Sequence, residues 1–369
     1  MKIVLFANTF QYFSLRVNFL KKLKDSGFDV YLIGTKDKFE KYFSDMQFKT
    51  IPLSIDRKSI NIIKELYLLV RIFRILKHIK PNIILGFTIK PVIYCGILNY
   101  ILKIPAINTM TGLGPYFFKK NFFNFFMKNL FKISQKKIKK VILQNKDDYD
   151  FFMKNDLIKD FQATIIPGFG IDSKNFFISK YPKNEKITFI LIGRMLWNKG
   201  IGEYVNAAKM IKKDKSNFRF QLLGNIDKEN AYCIDREQID RWNEEQVVEY
   251  LGYTDDVRPF ISKADCVVLP SYREGMPRVL LQACAMGRPI ITTNVPGCRD
   301  IIKDNQNGFI CNAEDVNSLK TALNKFGELT FEQKAKMGLE ARSMIENKFD
   351  EKIVFKSFLS EIQSLTKLL

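Results

Sequence analysis

At 369 residues, 46% of them apolar, the chain is too long for one ordinary core and too hydrophobic to be disordered. Its six cysteines form no C-x-x-C pair and its single histidine is His78, which argues against a disulfide framework, a zinc site and Ser-His or Cys-His nucleophiles. Most of the +20 formal charge falls on residues 1–180, with 31 Lys and Arg against 13 Asp and Glu, so the first half suits an anionic partner.

The opening Met1-Lys2-Ile3-Val4-Leu5-Phe6 reads as a first strand, its apolar run being too short for a signal peptide. Strand patterns in the first half are Lys2–Ala7, Asp29–Ile33, Lys49–Leu53, Asn82–Gly86, Ala106–Thr109, Val141–Gln144 and Thr164–Ile166. Helix patterns between them include Ser14–Ser26 and Ile60–Ile79. The longest apolar stretch, Pro91–Leu102, has core-helix length and falls short of the roughly 20 residues a spanning helix needs, so the chain reads as no integral membrane protein.

Residues 167–184, rich in turn formers, predict the linker. The alternation then restarts with Ile187–Ile192, helix Gly202–Lys213, Phe218–Leu223, Val247–Tyr250, helix Val257–Lys263, Cys266–Leu269, helix Pro277–Met286, Ile290–Thr293 and Gly308–Ile310. Glu314–Leu369 reads as consecutive helices. Such alternation predicts an α/β protein with two doubly wound, Rossmann-like parallel-sheet domains facing across a cleft. The expected domains are 1–170 and 171–349, with a closing helix 350–369 that packs back on the first.

Several segments carry chemistry. The loop from Asn8 to Arg16 has no glycine, which argues against a G-x-G-x-x-G dinucleotide site. Lys90 follows a strand and is a candidate phosphate cation, or an ordinary surface lysine. Thr111-Gly112-Leu113-Gly114 places glycines two apart, enough for a close backbone approach.

In residues 115–140, Phe122, Phe126, Leu130 and Ile133 share one helical stripe, and Lys128, Lys132, Lys136 and Lys139 share another. That suits an interfacial helix on anionic lipid; the alternative is a core-facing helix with solvated lysines. Lys64, Arg71 and His78 line up on the Ile60–Ile79 helix as a solvated stripe, read as plain surface. Asp148-Tyr149-Asp150 sits at the start of a helix pattern, so capping explains it and no metal is assigned.

The densest signals come later. Gly193-Arg194-Met195-Leu196-Trp197-Asn198-Lys199-Gly200 follows a buried-strand pattern, with two cations between glycines. Two cations can neutralise a departing diphosphate, and the glycines admit phosphate close to the backbone. Glu274-Gly275-Met276-Pro277 follows another strand, where the carboxylate can accept hydrogen bonds from sugar hydroxyls and amides 275–279 can face phosphate. The alternative for Glu274 is an acidic helix cap. Gln282 lies eight positions on, two helical turns along.

The G-R-x4-K-G block, the E-G-x-P block and the polar residue eight after the Glu resemble the retaining GT-B glycosyltransferases of family 4, and most of all the bacterial enzymes that extend polyprenyl-diphosphate-linked oligosaccharides. The resemblance covers nearly the whole chain, including Thr88-Ile89-Lys90-Pro91 and Thr111–Gly114. It implies that Arg194 and Lys199 hold the donor diphosphate and that Glu274 contacts the transferred sugar. Gly193, Gly275, Met276, Pro277, Val279 and Gln282 then line the donor, while Ser14, Arg16, Lys90, Thr111, Gly112 and Gly114 fall on the acceptor and phosphate side. Gln282 stands where the family carries a second Glu on the ribose, a departure that removes a charge-assisted hydrogen bond.

The implied activity is transfer of an N-acetylhexosamine such as GalNAc from a UDP-sugar to a polyprenyl-diphosphate-linked saccharide. No metal cofactor is expected. The location expected is the cytoplasm, peripheral on the inner face of the cytoplasmic membrane through residues 115–140, without nucleic acid. Two other readings are a soluble GT-B nucleotide-sugar enzyme, either another glycosyltransferase or an epimerase, and a basic nucleic-acid-binding module.

Overall fold

The computed structural model describes residues 1–56, 61–113, 117, 122–214 and 216–366. They form two units, Met1–Phe169 with Val354–Leu369, and Gly170–Ile353. The first unit runs β1 (Lys2–Thr9), α1 (Gln11–Ser14), α2 (Val17–Asp25), β2 (Asp29–Thr35), α3 (Lys38–Asp45), β3 (Lys49–Pro52), α4 (Ile62–Ile79) and β4 (Ile83–Phe87). It continues through α5 (Ile89–Leu102), β5 (Ala106–Thr109), α6 (Phe122–Gln135), β6 (Lys140–Leu143), α7 (Lys146–Lys154) and β7 (Ala163–Ile165).

Its seven strands lie in the order β3-β2-β1-β4-β5-β6-β7, and every pairing is parallel. Alternate residues of one strand go to opposite faces, and both faces are covered. Val4 and Phe6 pack under α4, α5 and α6, with Leu68, Ile72, Val92 and Phe131. Ile3 and Leu5 pack on the other side, with Phe19 and Leu20 of α2.

The second unit runs β8 (Ile187–Ile192), α8 (Ile201–Lys212), β9 (Phe218–Leu223), α9 (Arg236–Glu244), β10 (Glu249–Tyr250), α10 (Arg258–Lys263), β11 (Cys266–Leu269) and α11 (Arg278–Ala285). After β12 (Ile290–Thr293) and β13 (Gly308–Cys311) come the helices α12 (Val316–Glu328) and α13 (Phe331–Met344). The six strands lie in the order β10-β9-β8-β11-β12-β13, again all parallel. The final helix, α14 (Glu351–Thr366), places Val354, Phe358, Ile362 and Leu365 in the core of the first unit beside Phe19.

In each sheet the strand order reverses once, between β1 and β4 and between β8 and β11. Loops that leave such neighbouring strands in opposite directions open a crevice, the usual ligand position of a doubly wound sheet. The alternation of short apolar runs with amphipathic stretches thus yields the two parallel sheets that the sequence predicts.

Some expectations need correction. The helix expected at Ser14–Ser26 is α2, shortened to Val17–Asp25, because the chain turns at Leu15–Arg16, where Arg16 takes φ −129°, ψ 22°, and Ser14 ends the separate turn α1. The strand expected at Val247–Tyr250 shrinks to Glu249–Tyr250, since the amides of Val247 and Val248 both donate to the Trp242 carbonyl as the chain leaves α9. Helix α6 ends at Gln135, so Lys136 and Lys139 lie beyond it and only Lys128 and Lys132 of the expected lysine stripe ride on the helix. At α7 the cap is Asn145, whose side chain accepts from the Asp148 amide; Asp147 and Asp148 occupy the first turn. Among the described residues no helix is long and apolar enough to cross a membrane.

Candidate active site

The loop after β8 is shaped by its glycines. Gly193 donates its amide to the Leu223 carbonyl at 2.9 Å, and a Cβ added to it would meet nothing, so its outer face is open. Met195 and Leu196 then turn fully inward, leaving Arg194 exposed between them and Gly193. A single turn, Trp197–Lys199, ends at Gly200 with φ 74°, and a Cβ there would stand 2.0 Å from the Pro270 carbonyl oxygen. Only glycine combines that backbone with that approach.

The loop after β11 meets the first one directly. The Asn198 carbonyl accepts from the Tyr272 amide at 3.1 Å, and the Ser271 hydroxyl oxygen lies 3.2 Å from it. The Lys199 ammonium contacts Glu274 Oε1, and Ser271 Oγ donates to the same oxygen at 2.8 Å. Both members of this ion pair are mostly buried, with side chains 20% and 14% exposed. Arg194 reaches the other way, its Nη1 3.0 Å from Asp227 Oδ2.

Glu274 is not a helix cap. Helix α11 starts at Arg278 with Pro277 as its N-cap residue and no side chain bonded there. The Glu274 carboxylate is instead held by Lys199 and Ser271, while its backbone amide donates to the Pro296 carbonyl. Gly297 supports the loop from behind, since a Cβ on it would lie 2.5 Å from the Gly275 oxygen. Met276 and Val279 lie half-buried against the core around Leu280 and Cys284, and Gln282 is half-buried on α11.

Close to this pair, burial first and the Glu274 charge second push the Cys298 thiol up to about 12. It stays protonated at neutral pH and is a poor nucleophile. What the two loops bring together is the Lys199 ammonium and the Glu274 carboxylate, at the end of neighbouring strands and ahead of a helix start, with Arg194 exposed on the same loop and turned to Asp227. Such a set can hold a diphosphate and a hydroxyl-bearing group.

In the first unit, the loop after β1 carries Ser14 and Arg16. Ser14 donates to the Gln11 carbonyl at 2.8 Å, inside its own turn. Arg16 is stacked, its guanidinium carbon 3.7 Å from the Tyr12 ring centre and 4.6 Å from that of Phe169. Burial lowers the Arg16 pKa against the raising effect of Tyr12; burial also raises the Tyr12 phenol, against Arg16 and the adjacent Thr111. The Arg16 Nε, Asn8 Oδ1 and Thr109 Oγ1 atoms are buried without a hydrogen-bond partner. Orphaned groups of this kind cost about 1–3 kcal/mol each and gather where a ligand completes them.

Lys90 is already engaged, 2.7 Å from Glu65 Oε1 and 2.7 Å from the Asp56 carbonyl. Gly112 has φ 111° in the loop after β5, and Gly114 lies outside the described residues. On α6, Phe126 and Ile133 are exposed together with Phe125, whereas Leu130 packs half-buried on the core. Lys128 lies over the Phe151 ring, and Lys132 pairs with Asp156 at 2.5 Å.

Tyr12, Asp227 and Ser271 have no place in the sequence reading. The Ser271-x-x-Glu274 spacing is the one local hint, being that of a capping box. Asp227 and Tyr12 give no such signal, since each meets its partner only through tertiary folding or a tight turn.

Residues 173–344 match the family model described as glycosyl transferases group 1, and residues 2–145 match glycosyl transferase 4-like. The chain is 27% identical over 94% of both lengths to the Campylobacter jejuni N,N'-diacetylbacillosaminyl-diphospho-undecaprenol alpha-1,3-N-acetylgalactosaminyltransferase. It is 25% identical, over 72% of this chain and 71% of the relative, to an Escherichia coli UDP-Gal:alpha-D-GlcNAc-diphosphoundecaprenol alpha-1,3-galactosyltransferase. Among solved structures, Anabaena HepE in complex with UDP superposes with a TM-score of 0.80 at 16% identity, covering 99% of this chain and all of that one. That likeness shows the fold, which is GT-B.

Proposed function

Because the chain belongs to the group 1 glycosyltransferases, with a 4-like first half, we propose that it transfers an N-acetylhexosamine such as GalNAc from a UDP-sugar to a polyprenyl-diphosphate-linked saccharide. The observation that carries this reading is the contact of Lys199 with Glu274, made by loops from the neighbouring strands β8 and β11, with Arg194 five residues before Lys199. In this reading the second unit takes the donor. Arg194 and Lys199 bind the diphosphate and offset the charge that grows on it as the sugar leaves. Glu274 accepts hydrogen bonds from the sugar's hydroxyls, and Gln282 reaches the ribose. Gly193 and the Gly275–Val279 segment border the nucleotide.

Transfer proceeds with retention. The acceptor hydroxyl attacks the anomeric carbon on the face the diphosphate leaves, through an oxocarbenium-like state, as the carbon–oxygen bond to the diphosphate breaks. The departing diphosphate oxygen takes the hydroxyl proton, so no protein nucleophile is used. The first unit takes the acceptor, with Arg16 and Thr111 nearest its diphosphate and Ser14, Lys90 and Gly112 around them; Gly114, outside the described residues, is assigned to the same side. No metal is assigned to the reaction. The chain works at the inner face of the cytoplasmic membrane, held there by α6 and its basic flank, and takes no nucleic acid.

The test is a panel of nucleotide sugars offered with extracted polyprenyl-diphosphate saccharides and read by mass spectrometry. A mass gain of one N-acetylhexosamine on the lipid-linked acceptor, from the UDP donor only, is the expected result. Conversion of the UDP-sugar without an acceptor would replace the reading with an epimerase.

A further inference from the structure

Helix α4 has a face that folding leaves uncovered. Ile62, Ile63, Leu66, Tyr67 and Val70 are 47% to 79% exposed, while Leu68, Ile72, Leu76 and Ile79 fill the core on the opposite side. At 100° per residue, Ile63, Leu66, Tyr67, Val70, Arg74, Lys77 and His78 fall within one outward stripe. The stripe is apolar over its first two turns and basic thereafter, with Lys64 and Arg71 at its margin; Lys64, Arg71, Arg74, Lys77 and His78 are all exposed. The one acid of the helix, Glu65, points to the opposite side, where it meets Lys90 and the Tyr94 hydroxyl. No negative charge remains on the outward face.

Neighbouring helices extend the same character. Helix α5 packs against both α4 and α6, and it exposes Tyr100 and Ile101 near its end. The Tyr100 hydroxyl donates to the Ile133 carbonyl of α6 at 2.8 Å. Between Glu65 and Asp147 the chain has 15 Lys and Arg and no acid. Scattered exposed apolar residues need no explanation, but a contiguous set on one helix marks an interaction surface.

We propose that α4 is a second membrane-inserting element, whose first two turns enter the acyl region of an anionic bilayer while Arg71, Arg74 and Lys77 remain among the headgroups. The exposed apolar residues from Ile62 to Val70 span roughly 12 Å of helix, at about 1.5 Å per residue, and the long Lys64 side chain at their margin can return its ammonium to the headgroups. That span is comparable to the ~5–10 Å by which interfacial helices penetrate. Because apolar and basic halves follow one another along the axis, the helix goes in tilted, N-terminus first. A second copy of the chain fits this face less well, since it would set one acid-free basic surface against another. The inference rests on the membrane reading above and adds an element that the sequence alone marks as plain solvated surface.

The experiment places an environment-sensitive fluorophore at Ile63→Cys, Lys77→Cys or Phe126→Cys, each in a Cys233→Ser background, the other native thiols being buried. Vesicles of phosphatidylglycerol and phosphatidylcholine carry a quencher either in the acyl chain or on the headgroup. Acyl-chain quenching at position 63 and headgroup quenching at position 77 is the expected pattern. The triple variant Ile63→Ser, Leu66→Ser, Val70→Ser is expected to pellet with these vesicles at least about tenfold less, with unchanged turnover on a short-chain, water-soluble acceptor. A label at 63 that ignores lipid, while the label at 126 is quenched, overturns the role of α4 and leaves the membrane reading standing. Labels that both ignore lipid overturn the two together. A signal at 63 that grows with protein concentration without vesicles assigns the face to self-association and also overturns the proposal.

Discussion

Lys199 and Glu274, 75 residues apart in sequence, meet through an ammonium–carboxylate contact that joins the loops following β8 and β11. The pair holds both groups in place before any ligand arrives, which in the proposed reading limits the rearrangement needed for the ammonium to meet a diphosphate. Lys199→Ala is therefore expected to lower kcat by on the order of 10²–10³, the loss seen when one preorganised electrostatic donor is removed. Steady-state kinetics with a saturating UDP-sugar checks this. A near-normal kcat with normal nucleotide affinity would remove Lys199 from the site.

Arg194 differs, being half-exposed and paired with Asp227. Asp227→Asn is expected to change stability by less than about 1 kcal/mol, as for other exposed ion pairs, and to leave turnover within a few-fold. Arg194→Ala should instead cost turnover to an extent similar to Lys199→Ala. Comparing the two variants by thermal melting and kinetics separates a surface ion pair from a phosphate-binding cation.

Gln282→Glu introduces a carboxylate on the half-buried α11 face. Hydrogen bonds to a charged acceptor are the stronger kind, so UDP is expected to bind as well or up to about tenfold more tightly. Calorimetry that shows UDP binding lost in this variant would mean that Gln282 does not serve the ribose.

Gly200→Ala combines a left-handed backbone with a Cβ 2.0 Å from the Pro270 carbonyl oxygen. The two penalties together are expected to destabilise the fold by roughly 2–5 kcal/mol. Denaturant unfolding measures it. An unchanged midpoint would show that the loop can relax freely, and the close approach of the two loops would then not be required.

Replacing Lys128, Lys132, Lys136 and Lys139 by Gln is expected to weaken sedimentation with anionic liposomes sharply, at about 1 kcal/mol per charge near the surface. Lys132 contributes least, because Asp156 already offsets it. Raised salt should mimic the substitution by screening. Sedimentation that stays unchanged would mean that these lysines are merely solvated.

The strands were largely legible, because runs such as Ile187–Ile192 and Ala106–Thr109 are buried on both faces and sit between clear turn formers. Helix α9 was not, since only Ile239 and Trp242 of its nine residues turn inward and the rest are polar. The break between α1 and α2, where Arg16 folds over the Tyr12 ring, also leaves no mark in the pattern. At the candidate site the cations and the carboxylate could be read from their spacing. Their partners could not: Asp227 lies 33 residues from Arg194, and a contact across that separation has no periodicity to betray it. The exposed face of α4 was hidden for a related reason. Sequence shows that a residue is apolar, and only packing shows whether anything covers it.

The return of Val354, Phe358, Ile362 and Leu365 to the first core bears on the order in which a nascent chain becomes native. Ribosomal synthesis ordinarily lets the domain begun first finish first. Here the sheet face carrying Ile3 and Leu5, already packed by α2 and α3, lacks its last covering helix, α14, until every residue from 170 to 353 has been made. The second unit has all its own strands and helices by then and can mature earlier. The first unit therefore cannot be completed before the chain of the second has been made, and until then the aromatic rings of Phe19 and Phe169 lack their contacts with Phe358.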